Sequence, residues 1–453
     1  MNDRTKFLAA APRKRIPFTV IMLGLVSLFT DSATEMIYPL IPVYVAMLGS
    51  GAVILGIIEG LAETTAAILK LISGVVSDKI DRRKLLVLLG YGLSGLIRPL
   101  TGVVTAAWQI IVIRMIDRVG KGIRSAPRDA MIAAAVDKSI HGKAYGFHRA
   151  MDNAGAVLGP LLAILVLLLL LVGFELKDSL LALRWTFGLA LIPGLLAILI
   201  ILLFVKEPPS KRGNEKTFNF SLRNFDRSFY NYLFILVLFT LGNSSDAFLL
   251  FRVEEAIHKS GAVYDIVHTI GPLDRMLQHF GSQTSQMQIV NILFLPVVWA
   301  YFNIIKVAFS TPLGALSDRI GRKVVITAGW VIYAIVYLAF ALLVFLPARG
   351  QILATFLLFG IYALFYAFTE GTEKAFVADM VPEGQRGSAF GLYNFAIGLS
   401  ALPASVIFGI LYSTFDARFP GYGGTVAFGF GSLLASISIL LLKFMVKENH
   451  KEA

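Results

Sequence analysis

The chain has 453 residues, 57% of them hydrophobic and only 15% charged, with a mean hydropathy of +0.74. A soluble domain needs more polar surface than that, and the uncharged runs 161–174 and 189–205 exclude one. The net charge of +12 would suit a nucleic-acid binder but reads better as cations in short loops on one side of a membrane, and the absence of cysteine removes disulfides and thiolate metal sites.

A helix crosses the hydrocarbon layer in about 20 apolar residues, so with its turns this length holds about twelve spans. Residues 1–17, with Arg13, Lys14 and Arg15, show no small-residue cleavage site before the first span and read as a retained tail. The hydropathy pattern predicts spans over 17–49, 53–78, 83–105, 107–136, 143–173 and 180–206, then 228–255, 288–317, 323–347, 351–380, 387–415 and 424–447. Between the sixth and seventh, Pro208, Pro209, Lys211 and Arg212 break the pattern. This divides the chain into an N-terminal six-helix bundle (1–206), a cytoplasmic linker (207–227) and a C-terminal six-helix bundle (228–453). In the connection from Glu255 to Gln288, Ile266, Ile270, Leu273, Leu277 and Phe280 have helical spacing, interrupted by Gly271 and Pro272. This predicts a short amphipathic segment on the outer surface.

Even-numbered connections hold most of the short-loop cations: Lys79, Arg82, Arg83 and Lys84; Lys138 and Lys143; Lys211, Arg212, Lys216, Arg223 and Arg227; Arg319, Arg322 and Lys323. Residues 49–52 and 105–107 hold none. The positive-inside rule then places both termini in the cytoplasm, and an even number of spans agrees. The expected location is a bacterial inner membrane.

The halves repeat. GVVSDKIDRRK at 74–84 returns as GALSDRIGRK at 314–323, after the second span of each half, and GKAYGFHRAMDNAG at 142–155 is echoed by GSAFGLYNFAIGLS at 387–400. Duplicated halves let a transporter build two rocking bundles around one site. At these residues the sequence resembles the major facilitator superfamily. The loop motif of that family, G-x-x-x-D-R/K-x-G-R-R/K, is met by Gly74, Asp78, Lys79, Arg82 and Arg83, with Asp81 in place of its inner glycine. The second copy has Gly314, Asp318, Arg319, Gly321, Arg322 and Lys323. Gly146, Gly155, Gly159 and Pro160 have the fifth-helix spacing of proton-driven antiporters, although Ala163 and Ile164 replace the glycine pair that usually follows. Pro39 and Pro42 also resemble the twelve-helix drug:proton branch, and Arg114 and Arg118 are two registers for its basic fourth-helix motif.

The resemblance implies an all-α polytopic membrane protein, twelve transmembrane helices in two pseudo-symmetric bundles around a central cavity. It also implies a monomer. Asp78 and Asp318 end their helices at the pole unfavourable to an anion, so a neighbouring cation or helix N-terminus must offset them. A contact of that kind, made in one conformation only, is a gate involving Gly74, Asp78, Arg82, Arg83, Gly314, Asp318, Arg319 and Arg322; the plain alternative is a tight, solvated turn. Gly155 and Gly159 give a flat packing surface.

Charges within spans mark a pathway unless they only pair. Asp31 and Glu35 share a face of the first span, Glu59 and Glu63 repeat that spacing in the second, and Lys70 is deeper in it. In the fourth, Arg114, Arg118, Lys121, Arg124 and Arg128 fall within an arc of about 120°. Family resemblance places the first, fourth, seventh and tenth helices around the cavity, so the basic stripe is expected to face Asp31 and Glu35. Asp246, Glu370, Glu373 and Lys374 would complete the lining with Arg118 and Lys121. Asp31 or Glu35 is then the proton carrier and Arg124 and Arg128 are gate partners; permanent ion pairs are the competing reading. His148 is assigned to packing, and Phe359, Tyr362, Phe365, Tyr366 and Phe368 either form an apolar wall or pack helices.

No phosphate-binding G-x-x-x-x-G-K-[ST] loop and no zinc or nucleophile-elbow motif occurs, so neither an ATPase nor a membrane hydrolase is supported, and no cofactor or metal is called for. The reading is a secondary transporter for a small charged, zwitterionic or amphipathic solute and protons. Export is favoured by the Gly146 to Pro160 spacing; uptake symport, a lipid substrate and a channel are the alternatives.

Overall fold

The computed structural model describes residues 16–79, 83–136, 141–207, 225–260, 262–271, 274, 277–278, 283–382 and 386–446. Within them run twelve long helical segments. The first six are α1 (Phe18–Met47), α2 (Ala52–Lys79), α3 (Arg83–Val103), α4 (Ala107–Ala135), α5 (His141–Leu168) and α6 (Ser179–Phe204). The second six are α7 (Arg227–Ile257), α8 (Gln283–Ile320), α9 (Arg322–Phe345), α10 (Ala348–Asp379), α11 (Arg386–Arg418) and α12 (Gly423–Met445). Eleven are long and apolar enough to cross a membrane; α4 is the other one, its hydropathy lowered by its own charges.

Local chemistry sets the ends and breaks. Asp178 Oδ1 accepts from the amides of Leu180 and Leu181 at 2.9 and 3.1 Å and caps α6. Gln109 Oε1 reaches back to the amides of Thr105 and Ala106 at 2.7 and 3.2 Å before α4. Pro39 turns α1 through a 3₁₀ segment, Tyr38–Leu40. Between α8 and α9, Gly321 has φ +97°, a conformation that side chains resist, which accounts for glycine in the second loop motif. The first loop's Asp81 and Arg82 lie outside the described residues.

α7 is not continuous, although the sequence predicts one span over 228–255. Its helix stops at Gly242 and resumes at Ala247. Asn243, Ser244, Ser245 and Asp246 form the break, and Tyr333 Oη donates to Gly242 O at 2.9 Å. Non-helical backbone at membrane depth is tolerated where protein or water satisfies it.

Packing separates two groups. In the first, α1 lies along α5 and α6, and α4 lies along α2 and α3; in the second, α9 lies along α10 and α12, and α8 along α10. α2 with α11, and α5 with α8, join the groups. The second group is filled by aromatic rings: Phe239 stacks on Trp330 at 4.3 Å between centroids and Tyr333 on Tyr337 at 4.1 Å. The first group relies more on small residues and buried ion pairs. In the 255–288 connection a helix runs over Ala262–His268, packed on α8 and α10, and Gly271, Asp274 and Leu277 are helical as well. Of the apolar positions expected to form an amphipathic segment, Leu277 is buried and Ile270 exposed, and Leu273 and Phe280 lie outside the described residues.

Candidate functional site

The basic stripe of α4 finds its partners on α2 and α3 rather than on α1. Arg114 Nη2 is 2.8 Å from Glu59 Oε1, with both side chains buried. Arg118 Nη2 is 3.3 Å from Glu63 Oε1, whose side chain is 48% exposed. Arg98 of α3 holds Asp117 at 2.8 Å and donates to Thr30 O at 3.1 Å. Arg124 donates to Ser94 Oγ at 2.6 Å and lies over the Tyr91 ring at 4.3 Å, both on α3. Arg128 pairs with Asp129 beside it. The expected opposition of the whole stripe to Asp31 and Glu35 is therefore corrected: α4 is sandwiched by α2 and α3, and their carboxylates and carbonyls reach most of it first.

Asp31 and Glu35 meet α5 instead. A Cβ at Gly155 would lie 2.5 Å from Leu28 O and 2.9 Å from the Asp31 Cβ; one at Gly159 would lie 2.6 Å from the Glu35 Cβ. Two of the fifth-helix glycines thus let α5 press on the carboxylate-bearing turns of α1. Gly146 has no atom within 4 Å of that position, and Pro160 is buried inside α5. Asp31 makes no hydrogen bond or ion pair among the described residues; Asp152, Lys121, Arg124 and Glu35 are its charged neighbours. Glu35 Oε2 accepts from Trp299 Nε1 of α8 at 2.7 Å, a bond between the halves. Asp152 accepts from Ser27, and His148 Nδ1 stands 3.6 Å from it.

On the other half, the break in α7 presents Asp246, whose carboxylate accepts from Tyr362 at 2.7 Å and Tyr366 at 2.9 Å. Two members of the aromatic run are therefore hydrogen-bond donors as well as packing. Ser245 donates to Glu59 Oε2 at 3.2 Å and lies 3.3 Å from Tyr38 Oη, joining α7 to α2 and α1. Glu370 is shared by Arg149 of α5 and by Lys306 of α8, the latter at 3.6 Å. Glu373 is turned into the second half, accepting from Trp330 Nε1 at 3.0 Å and Tyr393 Oη at 2.8 Å. It borders a cavity of about 170 Å³ that α7, α10 and α11 line, together with Glu370 and Lys374. Arg149, Lys306, Trp299, Ser245 and Asp117 were missed from sequence. Lys306 left a signal: it is the one Lys or Arg within 289–317.

The loop motifs act as joints where they are described. Glu207 accepts from the amides of Arg83 and Lys84 at 3.0 and 2.8 Å, placing an anion on the N-terminus of α3. Arg322 Nε is 2.6 Å from Asp379 Oδ2 and ties the start of α9 to the end of α10. Lys323 Nζ donates to the carbonyls of Lys443 and Val446 at 3.1 and 2.6 Å, at the end of α12. Arg319 is exposed and Gly314 has open space beside it. The side chains at Gly74, Asp78 and Asp318 lie outside the described set, as does Arg82.

Two groups of six helices with a duplicated loop motif and charge-bearing inner faces are the architecture of a transporter. A family model described as Major Facilitator Superfamily matches residues 23–271 and 260–453, and the chain belongs to that family. It is 35% identical over 427 residues to an uncharacterised MFS-type transporter of Methanocaldococcus jannaschii, covering 94% of each chain. Among solved structures it is similar in fold to a mutant of the nucleoside transporter NupG, with TM-score 0.71, 15% identity and coverage of 95% and 100% of the two chains. It is also similar to a D-xylose–proton symporter, with TM-score 0.67, 16% identity and coverage of 96% and 99%.

Proposed function

We propose that this transporter works by alternating access with protons as the driving ion, exports a small charged, zwitterionic or amphipathic solute, and takes up and releases its proton at Glu35 or Asp31. The observation that carries the coupling is the Trp299–Glu35 bond, which joins α1 of one half to α8 of the other. Rocking of the halves breaks it, and protonation of Glu35 weakens it, so occupancy by a proton and conformation are linked. The Gly155 and Gly159 contacts bring α5 against the same turns, so movement of α5 reaches both carboxylates. The spacing of Gly146, Gly155, Gly159 and Pro160 is what favours export and the drug:proton branch. Uptake by symport is the second reading, favoured by Asp246, a carboxylate held by two tyrosines in the opposite half.

In this proposal the cation-bearing connections and both termini are cytoplasmic, and the two six-helix halves are the moving bodies. The test is proton movement in proteoliposomes under an inward-acid gradient with a panel of solutes. Substrate-dependent flux is expected in the wild type and lost in Glu35→Gln or Asp31→Asn. Unchanged flux in both variants rejects the assignment and moves it to Asp246 or Glu370.

A further inference from the structure

Away from the cleft, a groove of about 300 Å³ lies where α3 turns into α4. Leu100, Val103, Val104, Trp108, Val112 and Ile113 line it, and four of them, Leu100, Val103, Trp108 and Val112, are exposed. α3 ends at Val103, α4 begins at Ala107 and α6 begins at Ser179, so this corner sits at the membrane face opposite the loop motifs. Tryptophan marks the same level. The chain has four: Trp299 and Trp330 are buried, whereas Trp108 and Trp185, 61% and 55% exposed, both stand at this corner. Exposed tryptophan gathers where acyl chains meet headgroups.

A cation stands beside the groove. Arg184 of α6 reaches the end of α3, and its Nη2 donates at 3.2 Å to the carbonyl of Val104, part of the groove wall. Tyr44 Oη of α1 donates to the same carbonyl at 3.3 Å, and a Cβ at Gly102 would lie 2.4 Å from Arg184 O, so α1, α3 and α6 are packed together here. Arg184 makes no ion pair among the described residues, and its Nε is buried with no hydrogen-bond partner among them. The acid nearest to it in sequence, Asp178, is held by the amides of Leu180 and Leu181. The connections that carry Asp81, Asp137, Glu215 and Glu383 follow even-numbered helices, at the opposite ends of the bundles.

An apolar groove at the headgroup level suits an acyl chain, and a guanidinium suits phosphate, which it engages with two parallel bonds. A zwitterionic headgroup brings its own ammonium towards the guanidinium, so a headgroup without a cation is favoured. We propose that this corner is a binding site for one anionic phospholipid, with its acyl chain in the α3–α4 groove and its phosphate on Arg184. Bound there, the headgroup ties α6 to the turn between α3 and α4. Such a site is independent of which solute is moved and of which ion drives it.

The full chain is titrated in detergent with dioleoylphosphatidylglycerol, with dioleoylphosphatidylcholine and glycerol 3-phosphate as controls. Native mass spectrometry counts the lipids retained, and the unfolding midpoint is read in nanodiscs of either lipid. One saturable phosphatidylglycerol is expected, held more tightly than phosphatidylcholine, with a higher midpoint in phosphatidylglycerol. Glycerol 3-phosphate, which has no acyl chain, is expected to change neither readout. Arg184→Gln should weaken the binding by about tenfold or more and remove the gain in midpoint, and Arg184→Lys should keep part of both. Val112→Trp, which fills the groove from an exposed position, should lose the lipid while its midpoint in phosphatidylcholine stays at the wild-type value. Phosphatidylglycerol binding that survives in either Arg184→Gln or Val112→Trp, or that shows no preference over phosphatidylcholine, overturns the proposal. So does a dimer that Val112→Trp abolishes, which would place a second copy of the chain in the groove.

Discussion

Glu59 and Glu63 stand one turn apart on α2, and their surroundings give them different weights. The Glu59 side chain is 2% exposed and bonded to Arg114; that of Glu63 is 48% exposed against Arg118. Removing one member of a buried pair leaves an uncompensated charge and costs about 3–5 kcal/mol, whereas a solvated pair contributes about 0–1 kcal/mol. Glu59→Gln is therefore expected to lower the unfolding midpoint in detergent strongly, and Glu63→Gln less, because Glu63 is half exposed although its partner Arg118 is buried. Combining Glu59→Leu with Arg114→Met should recover most of the loss. Equal midpoints for the two single variants would show that burial does not separate these pairs.

The same contrast holds for elements. α4 carries its charges because it lies between α2 and α3, where Glu59, Glu63, Ser94 and Arg98 receive them, rather than against lipid. α5 depends on small residues where it crosses α1. Gly159→Ala puts a methyl group 2.7 Å from Ser32 O and 2.6 Å from the Glu35 Cβ, so the helix backbones must part. Overpacking of this kind costs about 1–3 kcal/mol, and transport should fall with it. Gly146→Ala meets no atom within 4 Å and is expected to leave unfolding and transport at wild-type values. If the two alanine variants behave alike, the glycine spacing does not act through this contact.

At the scale of the molecule, the halves meet along α2 and α11 with almost no side chain between them. Positions for a Cβ at Gly56 and Gly60 touch Ser405 O and Leu402 Cα at 2.4 and 2.9 Å, and Thr64 Oγ1 donates to Gly398 O at 2.7 Å. Alternating access requires this seam to shift. The chain has no cysteine, so the pair Gly60→Cys with Leu402→Cys gives a single possible cross-link, read against the reduced double variant because a Cβ at Gly60 itself presses on Leu402. A Cβ at Gly60 would lie 2.9 Å from Leu402 Cα, so the two positions are adjacent. Oxidation should cross-link the halves and stop transport, and a reductant should restore it. Full transport by the cross-linked protein would mean that α2 and α11 move as one body.

Much of this was legible in the chain. Long apolar runs have one solution in a bilayer, so eleven of the twelve long helices are set by hydropathy to within a few residues, α4 being the one its own charges disguise, and the duplicated loop announces two halves. Gly155 and Gly159 as a packing surface also followed from sequence, since small residues have few other uses at that spacing. What the tertiary structure decided was partnership. A stripe on α4 fixes a direction around one helix, but which carboxylates meet it depends on which helices pack there, and those are α2 and α3. The break at Asn243–Asp246 was missed because its flanks are apolar on both sides and the average hides four polar residues. The bonds from Trp299 to Glu35, from Arg149 and Lys306 to Glu370, and from Tyr362 and Tyr366 to Asp246 link residues of different helices that are distant in sequence, and no local pattern encodes them. Local periodicity determines how each helix is buried; only the packing of whole helices determines which charges meet.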